Sequence, residues 1–385
     1  MPDTRPCLLA ALVLLCRLIS ASGSPATAID SNSTVFIIVM ENHNWSTILG
    51  SASAPYINNT LLPLSSYCDQ YFNPPAIHPS LPNYLWLEAG TGFGITNDSP
   101  PSVNHQATTN HLSRRLSNAG ISWKTYQENI TGTTCPTTDS YPYYVKHNPF
   151  AYFDDVVASG CTSVMRPFTE FAADLTNQTV AHYNFITPNI CNDMHDSCAP
   201  TNNSIRQGDN WLALNVPAIL NSAAYQNNGL LIITWDEGGG GSDGPIGMIV
   251  LSPLAKGGGY HNSLHYTHSS TVRTLQKIFG LVPDLGGAAT ALDLSDLFLP
   301  GAIPNADPQV VIRDVTHSGT GTVVRWTSQP GITYRVQWKN TLVESAWQTI
   351  TPDFAGTGSL LSWTDNGTQT GGPGAPQRFY RVIVP

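Results

Sequence analysis

The sequence predicts an α/β fold, a mostly parallel sheet sandwiched by helices, followed by a small C-terminal all-β sandwich. Three observations carry that prediction. From about residue 30 to 300, short apolar, β-branched runs alternate with helical patterns, as a sheet covered on both faces requires. The clearest runs, Thr34–Met40, Gly229–Trp235 and Gly247–Ser252, are continuously apolar, which is how strands buried on both faces of a parallel sheet read. After Leu299 the composition changes, through the Pro- and Gly-rich stretch Pro300–Pro308, to short strand-like segments.

In chain order, residues 1–28 read as an export signal: Arg5, an apolar run from Cys7 to Ile19, then the small residues Ala21, Ser22, Gly23 and Ser24. Cleavage is expected between Gly23 and Ala28, which places the mature protein outside the cytoplasm, secreted or periplasmic. The alternative, a membrane anchor, is disfavoured because Arg17 interrupts the run and a spanning helix needs ~20 apolar residues. Residues 29–300 are expected to form the large domain, with further strands at Ile121–Tyr126 and Tyr183–Thr187. Its helices are predicted at His111–Asn118, stopped by Gly120, at Asp209–Ala223, and at Ser269–Phe279, stopped by Gly280. Residues 301–308 read as a linker, and 309–385 as the sandwich, with strands near Val310–Asp314, Gly321–Thr327, Thr333–Lys339, Trp347–Thr351, Leu360–Thr364 and Arg378–Val384. That module carries no cluster of His, Cys or carboxylates, so cell-surface attachment, spacing or glycan contact is expected of it, not catalysis.

The formal net charge of -9, with 11% charged residues, argues against a nucleic-acid partner, which needs a basic patch to neutralise phosphates. Beyond the signal remain Cys68, Cys135, Cys161, Cys191 and Cys198, an odd number that leaves at least one unpaired. Cys191 with Cys198 and Cys135 with Cys161 are the local disulfide pairings to test first.

Two acidic pairs stand at equivalent places, Glu41-Asn42 after the run ending at Met40 and Asp236-Glu237 after the run ending at Trp235. Ligands of open α/β sheets bind outside the carboxyl ends of the strands. If the two strands are parallel neighbours, three carboxylates and one amide oxygen converge, and such a cluster repels itself unless a cation neutralises it. Glu41, Asn42, Asp236 and Glu237 are therefore expected to hold one divalent ion, with oxygen ligands suiting magnesium, calcium or manganese, and zinc left open. In the segment Ile77-His78-Pro79-Ser80-Leu81-Pro82-Asn83-Tyr84, Ser80 reads as the N-cap of a helix, in the positive field of its dipole. Coordination to a metal would activate that hydroxyl where the dipole alone would not. The glycine run Gly238–Gly241 matches neither phosphate-binding loop spacing and reads as a flexible loop beside the metal.

Taken together, Val35-Phe-Ile-Ile-Val-Met-Glu-Asn-His43, His78-Pro-Ser-Leu-Pro-Asn-Tyr84, His147-Asn-Pro-Phe150, Thr187-Pro-Asn189 with Asp193-Met-His195-Asp196, and Trp235-Asp-Glu-Gly238 resemble the phosphoesterase family of bacterial acid phosphatases and phospholipases C. The resemblance runs in order over about residues 34 to 285. It implies an alkaline-phosphatase-like fold, a metal held by the Glu-Asn and Asp-Glu pairs, and transient phosphorylation of Ser80. His195 is expected as phosphate ligand or leaving-group acid and His147 as a second catalytic histidine, while Asn42, His78 and His268 are expected to bind substrate.

The reaction so expected is hydrolysis of a phosphate ester, in the manner of an acid phosphatase, with a phospholipase C-type phosphodiesterase as the rival. A sulfatase is disfavoured, because Tyr84 stands where that branch has Arg after Ser80-Leu-Pro-Asn. A non-catalytic surface or glycan-binding protein is the alternative from another class, against which the intact carboxylate pairs and Ser80 count.

Overall fold

The structure, a computed structural model, describes residues 28–307, 310–318, 321–328, 332–357, 359–372 and 377–385. Except for Ala28, the expected export signal lies outside the described residues. Among the described residues, no helix is long and apolar enough to cross a membrane.

The large unit contains β1 (Val35–Met40), β2 (Ser66–Cys68), β3 (Tyr71–Phe72), β4 (Trp123–Gln127), β5 (Met165–Pro167), β6 (Tyr183–Thr187), β7 (Leu230–Trp235), β8 (Met248–Leu251), β9 (Tyr260–Asn262) and β10 (Tyr266–Thr267). One sheet runs in the order β5-β4-β6-β1-β7-β8-β2-β9. Its first five strands are mutually parallel. β1 and β7, the two most apolar runs, lie side by side in its middle with every residue buried. The run Gly247–Ser252, read as another parallel strand, is a correction: β8 is antiparallel to β7. A parallel return needs a crossover, usually a helix, and the chain between Trp235 and Met248 forms none, so it can only double back.

Helices Ser80–Ala89, Leu112–Asn118, Ser204–Leu220 and His268–Phe279 accompany this sheet. The third begins earlier than its apolar pattern suggests because the side chain of Asn203 accepts from the Arg206 N–H as an N-cap. The fourth starts on a Thr267 cap and stops at Gly280, whose φ of 65° is the left-handed value glycine adopts without strain. It packs against helix Ser80–Ala89.

One apolar core extends from Ile29 to Ile303. The stretch read as a linker belongs in part to it: Ala302 and Ile303 are buried, the Ile29 N–H donates to Ala302 O, and Asp307 pairs with Arg273 and Lys277. A segment without periodicity still buries apolar side chains wherever a core offers them room. Further on, β11 (Ile312–Ser318), β12 (Gly321–Trp326) and β16 (Leu361–Asp365) form one antiparallel sheet; β13 (Thr333–Lys339) pairs with β14 (Gln348–Thr349), β15 (Phe354–Ala355) and β17 (Phe379–Ile383) in another. Val324 and Trp326 of the first share a separate small core with Tyr334 and Val336 of the second, which makes the pair a sandwich. Both expected disulfides, Cys135–Cys161 and Cys191–Cys198, are present, and Cys68 is a free, buried thiol.

Candidate active site

Register brings the two acidic pairs together. β1 and β7 pair residue for residue up to Met40 opposite Trp235, so Glu41 and Asp236 emerge side by side at the same sheet edge. The Asp236 N–H donates to Met40 O at 2.9 Å, and the Asn42 N–H reaches Asp236 Oδ1 at 3.0 Å. A third carboxylate joins them: Asp193 O accepts from the Glu41 N–H at 2.7 Å, and Asp193 Oδ1 from the His195 N–H at 2.8 Å. Met194 between them sits at φ 83°, the turn that aims Asp193 inward. Gly208 allows helix Ser204–Leu220 to close over that turn, because a Cβ there would lie 2.3 Å from Met194 Cγ.

Glu41, Asp193 and Asp236 are completely buried. Burial pushes all three pKa values up, and for Glu41 the neighbouring Asp236 and Asp193 push it further. His147, in the short turn Val145–His147, lies between two of them, with Nε2 at 3.2 Å from Glu41 Oε1 and Nδ1 at 3.2 Å from Asp193 Oδ2. These atoms are close enough for ion pairing, yet Glu41 Oε1, Asp193 Oδ2 and His147 Nε2 make no aligned hydrogen bond. Nor do Asn42 Oδ1 and Asp236 Oδ2, which are equally buried. A buried polar atom left without a partner costs roughly 1–3 kcal/mol. Several together, facing one another without bonding, are what a bound cation would resolve. Glu41, His147 and Asp193 could hold a metal ion, each offering one ligand atom within 4.8 Å of the others. Burial, then Lys146 and His195, hold the His147 pKa well below its ordinary value, so its ring is neutral, the form that ligates. With an imidazole among the oxygens, the donor set suits manganese or zinc as well as the harder ions.

Ser80 is the first residue of its helix and is buried, and its Oγ donates to Glu41 Oε2 at 3.1 Å. The expectation of an N-cap is corrected: Pro79 takes that position, and the Leu81 N–H is capped from outside by Asp98 Oδ1 at 3.0 Å. The hydroxyl is thereby free of helix duty and turned into the carboxylate cluster.

Of the four expected ligands, Glu41, Asn42 and Asp236 each carry a buried side-chain oxygen without a hydrogen bond, whereas one oxygen of Glu237 is engaged. Its Oε2 accepts from His78 Nδ1 at 2.6 Å and from Asn83 Nδ2 at 3.1 Å. Burial and the nearby Asp236 push Glu237 up to about 7, against the pull of His78. His78 is held on its other side by Asp243 Oδ1 at 2.9 Å and is partly exposed, at the rim of the cluster. His195 is also partly exposed, its Nδ1 at 2.7 Å from Asp196 Oδ1 and its ring centre 6.0 Å from that of His147. His268, expected at the substrate, is instead sealed behind the site. Its Nε2 donates to Asp236 O at 2.6 Å and its Nδ1 accepts from the Tyr71 hydroxyl at 3.0 Å. Burial pushes it down to about 4, so a neutral His268 fixes the backbone of Asp236.

Two further groups at the cluster, Asp193 and Lys146, were not among the residues expected there. Asp193 belongs to the motif Asp193-Met-His195-Asp196, in which His195 is the expected site residue. Lys146 precedes His147, and its ammonium donates to Asp98 Oδ2 at 3.1 Å. Its charge acts on Glu41, Asp193 and Asp236 alike. Burial opposes that charge, but Glu41 and Asp98 hold its pKa above the ordinary value.

Residues 64–282 match the model of the phosphoesterase family. The chain is 34% identical over 276 residues to a phosphatidylinositol-3-phosphatase of Mycobacterium tuberculosis, across 72% of this chain and 86% of that protein. It is 30% identical over 223 residues to an acid phosphatase of Aspergillus fumigatus, across 54% of this chain and 47% of that protein. A phospholipase C B of Mycobacterium tuberculosis is 25% identical over 288 residues, across 62% of this chain and 53% of that protein. The chain thus spans about half the length of the latter two relatives.

Proposed function

The chain belongs to the phosphoesterase family and is a hydrolase of phosphoric esters, and from that premise we propose that it is a secreted, metal-dependent phosphomonoesterase that works through a phosphoserine at Ser80. The observation that carries this reading is the Ser80 hydroxyl, buried at a helix start and hydrogen-bonded to a carboxylate cluster with unpartnered oxygens.

Glu41, Asn42, Asp193, Asp236 and His147 are the residues that would hold the ion. When bound, the ion would offset their charge, acidify the serine hydroxyl and stabilise charge on the phosphoryl group. The chain's own residues do the rest. Glu41 Oε2 orients the Ser80 hydroxyl, leaving the oxygen lone pairs free for phosphorus, and stands where the departing proton can go. As the bond from Ser80 to phosphorus forms, the bond to the leaving-group oxygen breaks, and His195 at the rim gives that oxygen a proton. Water then attacks the phosphoserine, returning Ser80 and releasing phosphate. The Glu237–His78–Asp243 chain borders the entrance, where it can orient the ester. Two disulfides suit the oxidising compartment that secretion implies.

Replacing Ser80 by Ala tests the mechanism. Release of p-nitrophenol from p-nitrophenyl phosphate should fall by at least ~10³-fold while metal content by elemental analysis stays unchanged. Wild-type turnover in that variant would exclude the phosphoserine. Diacylglycerol released from phosphatidylcholine, without phosphate from monoesters, would favour a phospholipase C.

A further inference from the structure

One cation near the cluster has no part in the mechanism above. Lys146 sits in the turn Val145–His147 between two buried neighbours, and the stacking of His147 on Tyr84, with ring centres 5.2 Å apart, fixes that turn. Its side chain is mostly buried, and among the described residues one of its three N–H donors is engaged, by Asp98 Oδ2. The other oxygen of Asp98 caps the Leu81 N–H. A single carboxylate therefore ties the ammonium to the residue next to Ser80, and two donors remain for a ligand.

Charge accounting gives this placement a meaning. A phosphomonoester carries one more negative charge than a diester near neutral pH, and it must approach a site lined by Glu41, Asp193, Asp236 and Glu237. One divalent ion cannot offset both the carboxylates and the substrate, and the deficit is one charge larger for a monoester than for a diester, so a further cation favours the monoester more.

We propose that Lys146, positioned by Asp98, contacts the phosphoryl oxygens of the substrate bound at Ser80 and sets the preference for phosphomonoesters over phosphodiesters. The proposal rests on the phosphomonoesterase reading and adds the residue that determines substrate class. Lys146 is then a catalytic residue, because it touches the reacting group, and Asp98 a positioning residue.

The test compares wild type, Lys146→Ala, Lys146→Arg and Asp98→Asn on p-nitrophenyl phosphate and on methyl p-nitrophenyl phosphate, at saturating divalent ion. In Lys146→Ala, kcat/KM for the monoester should fall ~10- to 100-fold, the range of a lost charge-assisted hydrogen bond, and for the diester less than ~3-fold. Lys146→Arg should recover most of the monoester activity. Asp98→Asn, which keeps the cation and loosens its tether, should lower the monoester selectively by a smaller factor. Where diester turnover falls below detection, the Ki of inorganic phosphate against that of dimethyl phosphate makes the same comparison. Equal losses on both esters, or no loss, would overturn the assignment. Should Lys146→Ala fail to fold, equal losses on both esters in Asp98→Asn would overturn it too. Wild type inactive on the monoester would remove the underlying reading, a result distinct from an unchanged ratio in an active enzyme.

Discussion

Asp236 in the large unit and Asp365 in the C-terminal sandwich are both buried carboxylates close to a strand end, and they are treated in opposite ways. Asp365 accepts from the Gly367 N–H, from the hydroxyls of Thr370 and Tyr380, and from Arg378. Burial works against its charge, but those donors hold its pKa below the ordinary value. Asp236, Glu41 and Asp193 have like charges for neighbours and unpartnered oxygens, and their pKa values are raised. The contrast separates a carboxylate that completes a structure from carboxylates with oxygens that could hold a cation. Among the described residues of the sandwich, the buried polar atoms without partners are the indole N–H groups of Trp326 and Trp338, and neither is a carboxylate.

Neutralising one member of each set sharpens that contrast. Glu41→Gln should lower turnover by at least ~10²-fold and weaken metal retention. In the presence of a chelator, however, the same variant should unfold at a higher temperature than wild type, because a neutral amide is buried beside Asp193 and Asp236 without taking up a proton or carrying a charge. The sign follows from the raised pKa: from its ordinary 4.5 upward, the folded state keeps a proton on Glu41 that the unfolded chain has released, so the chelated protein loses stability as pH rises. A lower melting temperature for chelated Glu41→Gln would break the comparison. Asp365→Asn should do the reverse, destabilising by ~2–3 kcal/mol in urea titrations through loss of the Arg378 pairing, with kcat/KM unchanged.

Asp307, in the stretch between the two units, gives the smallest effect. Burial opposes its charge, but Arg273 and Lys277 draw its pKa down to about 2. Its contribution is present above the unfolded value of 3.8 and is lost as pH falls through about 2. Asp307→Asn should therefore cost about 1 kcal/mol at neutral pH and flatten the decline in urea midpoint below about pH 4. An unchanged acid limb would show that this segment does not brace the large unit.

Much of the architecture was legible because it depends on local pattern. Continuous apolar runs marked β1 and β7, glycine marked the end of helix His268–Phe279, and spacing suggested both disulfides. The direction of β8 was not, because a short apolar run reads the same whichever way it points. The side-by-side emergence of Glu41 and Asp236 was legible from their equivalent places after two strands. The hydrogen bonds of Glu237 to His78 and Asn83 were not, since those residues arrive from another segment.

By itself the sequence determined the fold class, the acidic doublets and the serine segment, because periodicity and strand ends are properties of neighbouring residues. Only the tertiary structure decided what each side chain faces. It brought Asp193 and His147 to the doublets, withdrew His268 behind Asp236, turned Ser80 from a cap into a donor to Glu41, and tied Lys146 through Asp98 to the same helix. These contacts join residues far apart in the chain, and their energies depend on burial and on the charges around them, which no local pattern records.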